Sequence, residues 1–196
     1  MPARFPQVPA VKFILHTGLL LAGALLLTGC NETRHGGAPS PQTSVVAVAE
    51  SFPPFLSQAQ PRLQTMKLFL GLKEVTAELA LKPVEIYTGM MWRTNMADGD
   101  AMLFVFPNAA PRAFYMKNTL VPLSLAYIDS EGVILEIHDL QPLNENSVPS
   151  KADNVQYVLE VPQGWFARQG IVPGTTIRTP HGELKRLFSF SPAPRP

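Results

Sequence analysis

The chain has few groups with which it could do chemistry, and their spacing excludes several reactions at once. It carries one cysteine and four histidines, at 16, 35, 138 and 181. A lone cysteine cannot form an internal disulfide, and the histidines lack the spacing of metal ligands, so no metal and no cofactor are expected. There is no Gly-rich phosphate loop, no H-E-x-x-H zinc motif and no G-x-S-x-G serine elbow. Asp98 and Asp100 flank Gly99 in a turn and read as solvated. Asp129 and Glu131 sit in a second turn, where an aspartate commonly caps its own backbone. His138 precedes Asp139, but neighbours on a strand point to opposite faces, so they are not expected to work as a base and its orienting acid. Sixteen basic residues against fifteen acidic ones leave a net charge of +1, which gives no reason to propose nucleic acid as a partner.

Cys30 is the exception, because of what precedes it. Residues 1–12 carry Arg4 and Lys12 and no acid, and residues 13–29 are apolar apart from His16, Thr17 and Thr28. A basic start, an apolar run and a small-residue end form the layout of a secretory signal peptide. Leu27-Thr28-Gly29-Cys30 resembles the lipobox of bacterial lipoproteins, which implies that 1–29 are removed and that Cys30 is acylated. Several acyl chains, at about 0.8 kcal/mol per buried CH₂, would anchor the protein stably in a lipid bilayer. The expected location is the bacterial cell envelope, facing the periplasm or the exterior.

Residues 30–62 read as a flexible tether with five prolines, at 39, 41, 53, 54 and 61, and residues 191–196 as a disordered tail. Between them, 63–190 form one domain, and its pattern is that of short strands. Residues 66–72, 74–81, 101–106 and 112–117 are the first four. Residues 123–129 and 133–138 make a β-hairpin through Ser130-Glu131-Gly132. Its first arm shows Leu123, Leu125 and Tyr127 on one face, and its second Val133, Leu135 and Ile137. Residues 155–161 alternate again, and 175–179 with 183–190 supply a last pair. Residues 163–169 read as one or two helical turns ended by Gly170. Residues 83–91 stay open: Val84, Ile86 and Tyr87 favour a strand, whereas Pro83 could open a helix.

Several stretches resemble the bacterial and archaeal domain of unknown function family 192 (DUF192). They are Gly-Met-Met-Trp-Arg (89–93), residues 101–106, residues 114–134, residues 157–164 and residues 170–174. The central motif is Met116-Lys117-Asn118-Thr119 followed by Val121-Pro122-Leu123. The resemblance implies a mainly β fold: a compact sandwich or barrel of about eight short strands with one short helix, residues 83–91, packed on it. It implies no activity. Two positions depart from the family pattern: Ser124 stands where members usually have an aspartate, and Gln141-Pro142 where they often have a Pro-Cys pair.

If the motif loop folds over the end of that helix, Arg93, Lys117, Asn118, Thr119 and Ser124 come near one another. Such groups suit a carboxylate, phosphate or sugar through charge-assisted and directional hydrogen bonds. The plainer reading has Arg93 and Asn118 holding loop backbone and Lys117 in solvent. Trp92, Trp165, Phe166, Tyr115 and Tyr127 read as core. Three functions follow: a non-catalytic module binding a small polar ligand, a glycan or an envelope protein; a hydrolase-like enzyme using Arg93, Lys117 and Asn118; or a structural accessory. The domain is expected to be a monomer. Replacing Cys30 by serine is expected to leave the domain folded and free the chain from membranes on fractionation. Membrane-bound C30S protein would mean that 13–29 persist as an uncleaved anchor.

Overall fold

The computed structural model describes residues 55–188. The signal segment, Cys30, most of the expected tether and the tail lie outside the described residues. In chain order the elements are β1 (Thr65–Leu70), β2 (Lys73–Ala80), α1 (Pro83–Thr88), β3 (Asp100–Ala110), β4 (Ala113–Phe114), β5 (Leu123–Asp129) and β6 (Ile134–Leu140). They continue as β7 (Val148–Pro149), β8 (Val155–Pro162), α2 (Trp165–Arg168), β9 (Ile177–Thr179), β10 (Gly182–Glu183) and α3 (Leu184–Leu187). The fold is mainly β with short helices.

Eight strands form one sheet in the order β10-β9-β1-β2-β3-β8-β5-β6, and β4 pairs with β7 in a separate ribbon. Every pairing is antiparallel except β2 with β3. A parallel neighbour cannot be reached by a tight turn, and the excursion through α1 provides the crossover. The sheet curls until its ends touch: Val133 bridges Thr176, and Ile177 N–H donates to Gly132 O at 2.8 Å. Inside the curl lie Leu68, Val75, Leu103, Leu159 and Ile177, closed off by Trp165 and Phe166 of α2. The outer face of β3, β8 and β5 is apolar too, with Phe104, Val158, Leu125 and Tyr127 covered by Met90, Ile86 and Met116.

Residues 83–91 resolve as helix, then turn. Pro83 occupies the first helical position, where its missing N–H costs nothing. Glu85 reaches back to the N–H groups of Leu81 and Lys82, each at 3.0 Å. Burial pushes the Glu85 carboxyl up, but these two backbone donors together with the Lys82 ammonium outweigh it and hold the group below its ordinary value.

Four expectations change. Of the strand expected at 183–190, only Glu183 is strand among the described residues, which end at 188: Leu184, Leu187 and Phe188 are spaced as i, i+3, i+4, and the chain turns helical to bury Leu184. Residues 112–117 shrink to the two-residue β4. In the hairpin a bulge between Tyr127↔Glu136 and Ile128↔Ile134 makes Leu135 the extra residue. Ile137 therefore packs inside the curl and Leu135 on the outer face, not together. Finally, 55–62 are packed on the domain. Gln60 is buried and its amide donates to Gly89 O at 2.9 Å and Glu85 O at 3.2 Å.

Gly132 closes the hairpin at φ +84°, and a Cβ there would sit 3.1 Å from Ile177 O, on the seam where the sheet closes. Gly132→Ala is expected to lower stability by about 1–3 kcal/mol, read from the denaturation midpoint. Gly71→Ala, at φ +62° with nothing within 4 Å of its Cβ, should cost less.

Candidate functional site

The five residues expected to form a polar site are divided by the fold. Arg93 makes a two-pronged pair with Glu78 on β2, at 3.0 and 2.9 Å, and Leu63 N–H donates to the same carboxylate at 2.8 Å. Both partners are largely buried, so the arginine ties the α1 turn and the entry segment to the sheet and presents no free fork to a ligand. Lys117 lies 3.5 Å from Glu145 in a partly exposed pair and 5.9 Å from the Phe55 ring. Asn118 adopts φ +54°, its carbonyl accepts Trp92 N–H at 2.7 Å, and its amide points to Met91 Sδ at 3.9 Å. The structure thus brings 117–119 against the 91–93 turn, as the loop reading required. Thr119 is buried, with its N–H donating to Met116 O and its carbonyl accepting Leu143 N–H. Ser124 is not with them. It is buried on β5, where its hydroxyl donates to Asp139 across the ladder and accepts Gly164 N–H at 2.8 Å.

The remaining polar candidates are held locally. Asp129 Oδ1 accepts the N–H groups of Glu131 and Val133 at 2.9 Å each, capping its turn. His138 meets Glu136 at 2.8 Å on one face of β6, while Asp139 on the other serves Ser124. Asp98 pairs with Arg168 at 2.8 Å in solvent. Among the described residues no three His, Cys, Asp or Glu side chains cluster closely enough to hold a metal ion. Trp165, Phe166 and Tyr127 are core, but Tyr115 is exposed and Trp92 only partly covered.

A cavity of about 450 Å³ opens between α1 and the outer face of β3 and β8. Ile86, Met90, Phe104, Phe106 and Phe114 supply its apolar wall, with Tyr115 and Arg112 also lining it. The Arg112 guanidinium stacks 3.9 Å from the Phe106 ring centre and donates to Asn108 O. Gly89 is required in the wall: it sits at φ +46°, and a Cβ there would press on Phe104 at 3.3 Å. Also in the wall is Glu160, on β8 between Met102 of β3 and Leu125 of β5. It is 4% exposed, and its Oε2 has no hydrogen-bond partner. Burial pushes the carboxyl up to about 8, so it is mostly protonated at neutral pH.

Sequence reasoning missed Glu160. The alternation of 155–161 sets Gln156 and Glu160 opposite Tyr157, Leu159 and Val161, the pattern of a strand with one wet face. The available signal lay in the neighbours: 101–106 is apolar in both phases and 123–128 nearly so, as suits strands covered on both sides.

The family model DUF192, described as an uncharacterized ACR, matches residues 66–179, more than half of the chain. Solved structures are similar too, two of them as follows. One is a candidate transcription regulator from Sinorhizobium meliloti 1021, 32% identical with a TM-score of 0.59, covering 62% of this chain and 98% of its own. The other is a protein of unknown function from Novosphingobium aromaticivorans DSM 12444, 28% identical with a TM-score of 0.56, covering 59% and 86%. No curated protein matches.

Glu160 has a folded value near 8 against an ordinary 4.5, so its stabilising contribution is complete below about 4.5 and is lost as pH rises to about 8. The slope over that window is at most about 1.4 kcal/mol per pH unit. Glu160→Gln should remove it: thermal melts of the two proteins should agree near pH 4 and diverge toward pH 8, the glutamine variant being the more stable. Parallel curves across the window would mean that Glu160 is not a buried neutral acid.

Proposed function

Since the chain belongs to DUF192, a family without an assigned activity, its function must be read from its own site, and we propose a non-catalytic domain that holds a small ligand in the cavity over Glu160. One observation carries the reading: a buried carboxyl with an unpartnered oxygen forms part of the wall of a largely apolar cavity. Leaving a buried acceptor unpaired costs about 1–3 kcal/mol, which a ligand bearing a donor would recover. A volume of about 450 Å³ lies within the usual range for small-molecule sites. A glycan would need more polar partners than this wall offers, which favours a compact ligand.

Binding is favoured over hydrolysis because the threonine hydroxyls lining the cavity already serve its walls. Thr88 Oγ1 accepts Leu56 N–H at 3.1 Å, and Thr119 Oγ1 donates to Lys117 O at 3.2 Å. Arg93, the cation best suited to an enzyme built on the motif loop, is committed to Glu78. The description of the Sinorhizobium protein as a regulator is not carried over: the longest helix among the described residues has six residues, short for a recognition helix. The lipobox-like Leu27-Thr28-Gly29-Cys30 supports attachment to an envelope membrane, which makes this a tethered receptor or carrier domain.

The test is a screen of small amines, amides, acids and sugars against the purified chain in lipid nanodiscs, read on the methionine methyl resonances. Saturable shifts at Met90 and Met102, whose side chains pack with Phe104, are the expected result. Ligands that shift only signals around Lys117 would move the site back to the motif loop and sink the cavity reading.

A further inference from the structure

We infer that the cavity selects an organic ammonium: a small amine whose charged nitrogen meets the Glu160 carboxylate and whose apolar body lies along Met90, Phe104 and Phe114. This names the ligand class of the site proposed above and rests on that reading. Glu160 is the one acidic residue among those lining the cavity. Its neighbours across both ladders are Met102 and Leu125, so the protein gives a carboxylate there no cation of its own. An ionised carboxylate in such surroundings is costly unless it is paired, and an ammonium brings both the countercharge and N–H donors. A carboxylate or phosphate ligand would bring no countercharge and would leave the acid protonated.

The aromatic wall points the same way. Phe104 and Phe106 each stand edge-on to Phe114, at centroid distances of 5.0 and 6.4 Å. Their ring faces attract cations, and at Phe106 one is already held: the Arg112 guanidinium, 3.9 Å from the ring centre. Arg112 is engaged with Phe106 and Asn108 O, although its buried Nε, like Glu160 Oε2, has no hydrogen-bond partner. No cation acts on the Glu160 carboxyl, which responds to burial alone. A largely apolar wall holding one acid suits a primary amine on a hydrocarbon or aryl body better than a polyhydroxylated molecule.

Binding carries a proton step that can be counted. The empty carboxyl holds its proton at neutral pH; when R–NH₃⁺ docks, the O–H bond breaks, the proton leaves to solvent, and a carboxylate–ammonium pair remains. The other ionisable side chains lining the cavity are Arg112, Tyr87 and Tyr115, all of types that exchange no proton near pH 7. Tyr127, Glu136 and His138 share the sheet face, the last two paired with each other at 2.8 Å, and none of the three lines the cavity. Close to one proton per ligand should therefore be released.

The experiment is titration calorimetry on the chain in nanodiscs at pH 7, in two buffers of different ionisation enthalpy. The probes are phenethylamine, benzamide and 3-phenylpropionate. Phenethylamine is expected to bind with release of close to one proton, benzamide and phenylpropionate at least about tenfold more weakly, a difference of about 1.4 kcal/mol. Glu160→Gln, checked for folding by its melt, should abolish the proton release and weaken phenethylamine to the level of benzamide. If benzamide or phenylpropionate binds as tightly as phenethylamine, or if phenethylamine binds without proton release, the ammonium assignment falls while the binding domain stands. If none of the three binds and the wider screen leaves Met90 and Met102 unmoved, both readings fall. The comparison among the three probes on the unmutated chain decides the matter even if the glutamine variant does not fold.

Discussion

Strands β3, β8 and β5 bury side chains on both of their faces, and much of the domain is arranged around covering the second one. The curl of the sheet takes care of the inner face, where Leu103, Leu159 and Ala126 meet the strands that curl round to face them. Nothing in the sheet itself can cover Phe104, Val158 and Tyr127 on the outside. That work falls to pieces too short to be stable alone: a six-residue helix, a ribbon of two-residue strands and the motif loop. Each is pinned by specific polar contacts. Tyr127 donates its hydroxyl to Val148 O in the ribbon, which holds β7 over the sheet. The cover is incomplete between α1 and β8, and the incompleteness is the cavity.

The Arg93–Glu78 pair is the chief of those pins. It joins the turn after α1 to β2, and the same carboxylate receives the N–H of Leu63 ahead of β1. A two-pronged guanidinium–carboxylate pair that is mostly buried is geometrically demanding, and removing one partner would strand the other charge. The same arrangement accounts for the central motif. Asn118 at φ +54° and Trp92 at φ +57° both use left-handed backbone, and the hydrogen bond between them locks loop to turn. The motif residues therefore build the cover of the sheet, while the unpaired chemistry sits behind it.

How much of this was legible depended on whether a signal was local. The β5–β6 hairpin was readable because Gly132 supplies the positive φ and Asp129 caps the turn within five residues. The helix at 83–91 could not be chosen by propensity, since Val84, Ile86 and Tyr87 favour strands; Pro83 and the reach of Glu85 to the N–H groups of Leu81 and Lys82 decide it. Arg93 was visible as a functional type, but its partner lies fifteen residues away on a strand whose neighbour is set by a crossover. Glu160 was hidden by the strength of the alternation rule. A period of two tells which residues share a face, and only the neighbouring strands tell whether that face meets water.

Gln60 carries a last consequence, for where such a module begins. Its buried amide caps the carbonyls of Glu85 and Gly89 at the end of α1, and Phe55 lies 6.1 Å from the Trp92 ring on the turn that follows. The span matched to the family starts at residue 66, after both. A helix inside the shared unit is thus finished off by a stretch outside it. Relatives that keep the strands but vary the leader would differ in how firmly α1 is seated. The seam between leader and shared module then runs along α1, which is one wall of the cavity.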